Sequence, residues 1–300
     1  MTVTSAGDRA DVAVLHHRLL TWYAGAARDL PWRHPGCSPW GVLVSEVMSH
    51  QTPVARVEPV WRQWLQRWPE PAALAAESPG EVVRAWGRLG YPRRALRLRE
   101  AAAAMVDRHD GEVPADEAAL RALPGIGAYT AAAVVAFAFG GRSVVVDTNV
   151  RRVQARAVAG RAHAAPALTR AESERAAALL PADEAEAATW NVAVMELGAL
   201  VCTARSPRCP VCPLVDTCAW VRAGRPEHDG PPRRDQTWHG TDRQVRGRVL
   251  QALREVAGDL PRSAFERAAA DPVQVDRCLD GLVADGLVEP LARGRFRLPA

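Results

Sequence analysis

Two apolar segments joined by a glycine hairpin lie near the middle of the chain and constrain its fold most strongly. Apolar residues at helical spacing predict a short amphipathic helix ending near Leu123 and a second, almost wholly apolar helix over residues 129–139. Gly125 and Gly127 flank Ile126 between them. These glycines allow backbone conformations that residues with a Cβ resist, and they leave the amides open to a ligand. The pattern predicts two helices and a tight turn.

The hairpin amides precede the N-terminus of the second helix. Unpaired N–H groups and the helix dipole favour an anion such as a phosphate there. The segment therefore predicts a helix-hairpin-helix element that holds a nucleic-acid backbone without reading its sequence. An ordinary corner between two packed helices is the alternative, and Gly-x-Gly alone does not decide between them.

A carboxylate follows the second helix. The run Ser143-Val144-Val145-Val146 ends at Asp147, and an arginine-rich helix begins at Val150, so Asp147 is placed to cap that helix. LPGIGAYTA followed by VDTNVRR resembles the endonuclease III superfamily of DNA glycosylases, in which these motifs carry the hairpin and the catalytic aspartate. Capping is compatible with the role that the resemblance implies.

Composition limits the chemistry. All 38 basic residues are arginine, because lysine is absent. A guanidinium cannot be deprotonated to form a Schiff base with a sugar, which excludes strand cleavage by a lysine and leaves only the N-terminal amine. The net charge of +4 requires nucleic-acid binding to come from the distribution of charge.

Targeting and membrane signals are lacking. No charged leader precedes an apolar run, and no segment approaches the roughly 18 apolar residues of a membrane helix. We expect a cytoplasmic, nucleoid-associated protein without membrane contact. Six cysteines in a reducing compartment favour metal binding over disulfides.

Four cysteines have the spacing Cys-x6-Cys-x2-Cys-x5-Cys: Cys202, Cys209, Cys212 and Cys218. Ligation by thiolates alone suits either zinc or an iron–sulfur cluster. The spacing resembles the [4Fe-4S] loop of the same superfamily, and the resemblance implies that cofactor.

An acidic residue stands in an apolar helix nearer the N-terminus. In GVLVSEVM only Ser45 and Glu46 are polar. Burial would raise the pKa of Glu46 toward a value useful for proton donation near neutral pH, although an isolated Glu in such a run more often lies on an exposed helix edge. SEVM matches the superfamily's motif at the mouth of the base pocket, which implies Glu46 as the general acid.

Further motifs resemble the superfamily's adenine branch. These are Leu30-Pro31-Trp32-Arg33 and Gly87-Arg88-Leu89-Gly90-Tyr91. The arginines that follow the second motif, at positions 93, 94, 97 and 99, form either a solvated face or a phosphate track, and we favour the track. The resemblance implies DNA or base contacts by Trp32, Arg33, Ser49, His50, Gln51, Thr52, Tyr91, Gly125, Gly127 and Val192.

From Leu30 to Cys218 the chain resembles MutY-type adenine DNA glycosylases, which remove adenine opposite 8-oxoguanine or guanine. The implied mechanism has Glu46 protonating adenine at N7 and Asp147 facing the cationic sugar, with Tyr129 and Asn149 orienting the carboxylates and the sugar. Gln51 matches the intercalating residue. Tyr129 stands where lyase-competent relatives have lysine, which points to a monofunctional enzyme.

The resemblance also implies a fold. We expect an all-α helix-hairpin-helix glycosylase, with a six-helix barrel domain over residues 39–141 and an iron–sulfur cluster domain formed by residues 1–38 and 142–222. Residues 223–240 have linker composition. Residues 241–300 predict three helices and a β-hairpin, a small winged-helix-like domain, with Ser263-x-x-Glu266 as a capping box.

Departures from the family leave the substrate base open. Ser49-His50 replace the usual Leu-Gln, Val192 replaces Gln or Glu, and the larger Nudix-like C-terminal module is not recognisable. The first alternative is a mismatch thymine or uracil glycosylase on the same scaffold. The second is a non-catalytic iron–sulfur DNA-binding or redox-sensing protein, which would gain nothing from Glu46 and Asp147 facing anionic DNA. The expected partner is duplex DNA with a mispaired or damaged base, bound by a monomer.

Overall fold

Helices form most of the chain in this computed structural model, which describes residues 6–228 and 238–300 and the side chains from residue 11 onward. Half of the predicted linker, residues 229–237 of 223–240, therefore lies outside the described residues. The helices are α1 (Ala6–Ala26), α2 (Pro39–Ser49), α3 (Val54–Arg67), α4 (Pro71–Ala75), α5 (Pro79–Trp86), α6 (Arg93–Arg108), α7 (Glu117–Arg121), α8 (Ala128–Phe139), α9 (Thr148–Ala157), α10 (Arg170–Leu179), α11 (Glu184–Leu200), α12 (Ala219–Arg222), α13 (Asp242–Arg254) and α14 (Pro272–Ala284). The strands are β1 (Leu260–Pro261), β2 (Glu289–Leu291) and β3 (Arg295–Arg297).

The chain divides into two compact units. The first contains the described residues within 1–42, 115–117 and 127–231, and the second those within 43–114, 118–126 and 232–300. The domain boundaries inferred from the sequence, with a barrel over 39–141, remain a prediction. None of the described helices is both long enough and apolar enough to cross a membrane.

The core of the first unit lies between α1, α9 and α11. Leu19 from α1, Val150 and Val153 from α9, and Trp190 and Leu197 from α11 are buried together. The α11 helix starts where the Asp183 side chain accepts a hydrogen bond from the Glu186 N–H. Buried contacts of this kind fix α9 against α11, so the start of α9 has a defined position.

Tryptophans form much of the core of the second unit. Trp61 and Trp64 of α3 are buried, and so is Trp68, the residue that follows this helix. The Trp64 ring lies 4.8 Å from that of Trp68 and 5.4 Å from that of Trp86, in edge-to-face geometry. These rings are therefore packing groups rather than stacking platforms for bases.

The last 60 residues combine helices with a small sheet. Helix α13, a 3-10 helix over Arg262–Ala268 and α14 precede a wing in which β3 lies between β1 and β2, all antiparallel. This agrees with the winged-helix-like prediction. The capping box at Ser263 is wrong, because the 3-10 helix begins at Arg262 with Pro261 at its N-cap, which makes Ser263 its second residue. Strand β1, with two residues, is too short to leave an alternating pattern.

Candidate active site

Asp147 is the N-cap of α9, as predicted. Its Oδ1 accepts a hydrogen bond from the Val150 N–H at 2.6 Å, and its Oδ2 accepts one from Asn149 Nδ2 at 2.7 Å. Burial raises the pKa of Asp147, while the hydrogen bonds from Val150 and Asn149 lower it. The site thus holds a desolvated carboxylate whose ionised form is stabilised by two donors.

A guanidinium holds Asn149 in this orientation. Arg152 Nη2 donates to Asn149 Oδ1 at 2.6 Å and to the Gly198 carbonyl at 2.7 Å, and its Nε donates to the Cys202 carbonyl at 2.6 Å. With its oxygen occupied by Arg152, the Asn149 amide presents its nitrogen to Asp147. The carboxylate is therefore connected through two side chains to the end of α11 and to the first cysteine of the loop.

Asn191 on α11 holds the segment that leads into Asp147. Its Nδ2 donates to the Ser143 carbonyl at 2.8 Å, and its Oδ1 accepts from the Val145 N–H at 3.4 Å. Asn191 and Val145 are both buried. Because the 143–146 segment has no helix of its own, these bonds satisfy its backbone and fix the approach to α9. The sequence analysis did not identify Asn191.

Two predicted residues lie near this segment on neighbouring helices. Tyr129, in the first turn of α8, packs with Met195 against a cluster of alanines on α8 and Val145. Val192 is half-buried on α11, one turn before Met195. Their assigned roles in orienting the sugar and contacting the base remain predictions.

A buried ion cluster was missed by the sequence analysis. Glu196 is 0% exposed; Arg28 Nε and Nη2 donate to its two oxygens at 2.7 Å each, and Arg33 Nη2 donates at 3.0 Å. Burial alone would raise the pKa of Glu196, but the bonds from Arg28 and Arg33 lower it to about 2. The carboxylate is ionised and fixed. The signal that could have revealed it is an acidic residue in the apolar run of α11, the same signal that marked Glu46.

Arg33 keeps one donor unused. Its Nη1 is buried and has no hydrogen-bond partner among the described residues. A buried unsatisfied guanidinium nitrogen is costly unless a ligand completes it. Trp32, beside it in the 3-10 helix Pro31–Arg33, is also buried. The geometry is compatible with a contact from Arg33 to a bound base.

In the second unit, Glu46 lies inside α2. It is 8% exposed, between Ser45 and Val47, which are also buried. The alternative of an exposed helix edge is therefore wrong. A carboxyl group in these surroundings has the desolvation that the general-acid role requires.

Residues 49–52, which follow Glu46 at the end of α2, form a tight turn that is called the rim below. Ser49 and His50 are half-buried, Gln51 is exposed with φ of 55°, and Thr52 is buried. Thr52 Oγ1 donates to the Leu89 carbonyl at 3.0 Å, which attaches the rim to the 87–91 loop. Gln51 thus lies at the tip of the rim, in a left-handed backbone conformation that residues other than glycine rarely adopt.

Burial and the nearby Arg94 cation lower the pKa of His50. The imidazole is neutral at neutral pH. Protonation of His50 is therefore shifted to lower pH than that of an ordinary histidine.

The phosphate-track prediction is wrong for two of its four arginines. Arg94 Nη1 donates to the carbonyls of Val47 and Met48, and its Nη2 donates to the Gly90 carbonyl at 3.1 Å. Arg99 Nε donates to the Glu77 carbonyl at 2.6 Å. The end of α2 has carbonyls without intrahelical partners, and Arg94 satisfies them. Arg93 and Arg97 remain exposed.

The 87–91 loop presents one aromatic side chain. Tyr91 is 51% exposed with φ of 45°, and Trp86 Nε1 donates to the Gly90 carbonyl at 2.9 Å. The Arg94 guanidinium lies 5.1 Å from the Trp86 ring centre and 5.7 Å from that of Tyr91. The hydrogen bond from Trp86 thus fixes the backbone of the loop while the Tyr91 side chain faces solvent.

The glycine hairpin is a tight turn with open amides. Gly125 has φ of 76°, and a Cβ there would lie 2.7 Å from Arg97 Cβ, so only glycine fits. The Ile126 N–H donates to the Leu123 carbonyl at 3.2 Å, and Gly127 is the N-cap of α8. Gly125 and Gly127 are exposed. This is the backbone geometry that a phosphate contact requires.

The four loop cysteines line one cavity together with Arg156, Val201, Val215 and Trp220. Nowhere in residues 6–228 and 238–300 do three His, Cys, Asp or Glu side chains converge on a single-ion position. Thiols spread around a shared cavity fit a polynuclear cluster better than zinc. Burial raises the pKa of Cys212 to about 11, so a bound metal would have to supply the positive charge that stabilises its thiolate.

Comparison with known proteins identifies the family. Residues 44–178 match the model of HhH-GPD superfamily base excision DNA repair proteins, and residues 202–218 match the iron-sulfur binding domain of endonuclease III. The chain is 55% identical over 283 residues to an adenine DNA glycosylase of Mycobacterium tuberculosis, covering 94% of this chain and 92% of that one. The chain belongs to the adenine DNA glycosylase family. Its cysteine loop is accordingly a [4Fe-4S] site.

More distant similarities agree on the fold. The chain is 34% identical over 209 residues to a thymine/uracil-DNA glycosylase of Pyrobaculum aerophilum, covering 69% of this chain and 90% of that one. The solved structure of a thermostable thymine-DNA glycosylase matches with a TM-score of 0.64 and 27% identity, covering 72% of this chain and 98% of that one. Endonuclease III in a non-covalent DNA complex matches with a TM-score of 0.61 and 27% identity, covering 72% and 97%. The predicted all-α helix-hairpin-helix fold of this adenine glycosylase relative is confirmed.

Proposed function

We propose that this protein is a monofunctional DNA glycosylase of base excision repair that hydrolyses the N-glycosidic bond of adenine mispaired with 8-oxoguanine or guanine. The observation that carries the proposal is the Asp147 carboxylate, desolvated yet kept ionisable by Asn149 and the α9 N-terminus. The adenine DNA glycosylase name of its mycobacterial relatives supports adenine as the base.

The chemistry follows from the two carboxyl groups. Breaking an N-glycosidic bond develops positive charge on the sugar and negative charge on the departing base, so the transition state needs an anion and an acid. Glu46 donates a proton to adenine N7, and the ionised Asp147 stabilises the cationic sugar. Asn149 orients Asp147, and Tyr129 orients the sugar.

The ion cluster of α11 supplies a candidate contact for the base edge. Arg33 Nη1 is a buried donor without a partner among the described residues, and Glu196 fixes the same guanidinium through Nη2. A flipped adenine offers ring-nitrogen acceptors that would complete this donor. Val192, where many members have Gln or Glu, contributes shape rather than a hydrogen bond.

DNA binding rests on backbone amides and exposed side chains. Gly125 and Gly127 hold a phosphate, Gln51 fills the space left by the flipped base, and Tyr91 contacts the distorted duplex. Extruding a base costs a few kcal/mol, least at a mismatch, which favours mispaired sites. We expect a monomer that works on the chromosome in the cytoplasm.

Strand cleavage is not part of the proposed activity. The chain has no lysine, and Tyr129 occupies the position of the lyase lysine. Borohydride should trap no covalent complex with DNA, and abasic product should need heat or alkali to break. Efficient trapping would show that the N-terminal amine acts and would overturn the monofunctional assignment.

A second candidate is a mismatch thymine or uracil glycosylase. The specific observation that favours it is the replacement at Ser49-His50, together with 34% identity to a thymine/uracil-DNA glycosylase. Single-turnover rates on duplexes with A:8-oxoG, A:G, T:G, U:G and A:hypoxanthine distinguish the two, because only the adenine enzyme releases base from the first two.

A further inference from the structure

The C-terminal domain, residues 241–300, takes no part in the chemistry proposed above. It belongs to the same compact unit as the 49–52 rim and the 87–91 loop. The contacts of this domain with other parts of the unit could therefore affect the position of the rim and of the 87–91 loop.

The apolar core of the domain extends into the neighbouring helices. Val83 of α5 is buried in the same cluster as Leu253, Leu279 and Leu282, and Leu96 of α6 packs against that cluster. At Gly80, the second residue of α5, a Cβ would lie 2.4 Å from the Pro299 carbonyl oxygen, so the chain end approaches closely enough to require glycine. A shared core of this kind joins the domain firmly to α5 and α6.

Two arginines exchange hydrogen bonds across this contact. Arg84 Nη1 donates to the carbonyls of Leu253 and Arg254 at the end of α13. Arg254 Nε donates to the Val83 carbonyl, near the end of α5, at 3.0 Å. Each guanidinium thus satisfies carbonyls near a helix end that intrahelical bonds leave unpaired.

A third attachment reaches the start of α6. Asp285, the C-cap of α14, pairs with Arg93 at 3.1 Å and with Arg246 of α13. On the other side of the loop, Arg88 Nε donates to Gln251 Oε1 at 3.5 Å. The domain therefore contacts the helix before the 87–91 loop, the helix after it and the loop itself.

This loop is in turn attached to the rim beside Glu46. Thr52 donates to the Leu89 carbonyl, and Arg94 bonds both the end of α2 and the Gly90 carbonyl. A displacement of α5 or of the first turn of α6 would move Tyr91 and, through these bonds, Gln51 and Thr52.

Charge argues against the domain reading DNA in the usual winged-helix way. The helix that would enter a major groove, α14, exposes Asp276 and Asp280, and Asp271 stands at its N-cap. Its one arginine, Arg277, pairs with Asp242 at 2.8 Å. Phosphates would be repelled along this face.

We infer that the C-terminal domain is a brace that fixes the 87–91 loop and, through it, the 49–52 rim, so that Tyr91 and Gln51 are held in position for the DNA. The inference rests on the proposed function for the roles of these two side chains. The contacts that join the domain to α5, α6 and the 87–91 loop do not depend on which base is the substrate.

The test compares variants that lose hydrogen bonds or ion pairs between the domain and α5 or α6 with matched variants at other positions of the same domain. Arg254→Met with Asp285→Asn removes the Arg254 bond to the Val83 carbonyl of α5 and the ion pair with Arg93 of α6. Arg267→Met with Asp280→Asn makes the same changes at exposed positions away from the contact. Hydrogen–deuterium exchange is followed in peptides covering residues 87–92 and 49–52 of the full-length holoenzyme. We expect exchange in both peptides to rise by about fivefold or more in the first pair only, with residues 143–150 unchanged.

Single-turnover assays on A:8-oxoG and binding of an abasic duplex provide the functional readout. The first pair should lose about tenfold in product affinity and in discrimination between A:8-oxoG and A:G, while the control pair matches the parent. If the first pair unfolds the domain, Asp285→Asn alone, which leaves the apolar core intact, gives the same comparison.

Two results overturn the inference. One is unchanged exchange in residues 87–92 and 49–52 of the first pair. The other is a loss of DNA affinity in Arg293→Ala, at the wing tip, with a salt slope reduced by about one, which would make the domain a DNA-contacting module. An inactive parent enzyme would defeat the proposed function and leave the exchange comparison intact, so the two failures are distinguishable.

Discussion

Gly198 of α11 lies directly against Asn149 of α9. A Cβ at position 198 would be 2.6 Å from Asn149 Cβ and 3.0 Å from its Cα. The Gly198 carbonyl also accepts a hydrogen bond from Arg152, which holds the Asn149 side chain. The absence of a side chain at one position thus determines where the amide that orients Asp147 can lie.

Gly198→Ala should displace Asn149 and slow adenine release by about tenfold to a hundredfold, because small misplacements of catalytic groups have costs of this order. Affinity for an abasic duplex should change much less. Gly25→Ala on α1 is the matched control, since a Cβ there meets nothing within 4 Å. Equal rates for Gly198→Ala and Gly25→Ala would contradict the positioning role.

Asn149→Ala should shift the pH dependence of the reaction. The Asn149 amide donates to Asp147 and stabilises the ionised carboxylate, so its loss raises the pKa of Asp147 further above the ordinary aspartate value. The acid limb of the single-turnover rate profile should therefore move to higher pH, with no shift at alkaline pH. An acid limb at the same pH as the parent would show that Asn149 does not set the charge of Asp147.

These relationships differ in how far the sequence could predict them. The hairpin glycines, the Asp147 cap and the cysteine spacing were predictable because each depends on local backbone geometry or on local ligand spacing. Arg94 was not, since its turn inward depends on where the end of α2 packs.

Glu196 and Ser263 show the same limit. The carboxylate of Glu196 is ion-paired and fixed only because Arg28, which follows α1, lies beside it. Ser263 matched a capping pattern, but the 3-10 helix starts at Arg262, so Ser263 is its second residue rather than its cap. An acidic residue in an apolar run could have marked Glu196, but its partner Arg28 comes from a distant part of the chain that a linear pattern does not show.

Metal analysis should give about four irons per chain, with the broad visible absorption of an iron–sulfur cluster. The four thiols around one cavity and the family match to residues 202–218 support this stoichiometry. Cys212→Ser should lower the iron content, whereas Cys278→Ser, a cysteine buried elsewhere, should leave it unchanged. Active protein with one zinc and no iron would contradict the assignment.

Ser49→Leu with His50→Gln should change the ratio of rates between A:8-oxoG and the other duplexes, because it alters the volume and the hydrogen-bonding groups of the rim. Since the pKa of His50 is lowered, this ratio should stay constant in the parent as pH rises from 7 and change only below the ordinary histidine pKa of about 6.5. Identical ratios in parent and variant across the panel would show that these positions do not set specificity.

The central claim is that Glu46 and Asp147 remove adenine by hydrolysis without strand cleavage. Single-turnover reactions of the parent and of Glu46→Gln on an A:8-oxoG duplex, analysed with and without alkali, test it most directly. The parent should release adenine and yield cut strands only after alkali, while Glu46→Gln should bind the duplex and release no base. Adenine release by Glu46→Gln at the parental rate, or faster processing of T:G than of A:8-oxoG by the parent, would contradict the account.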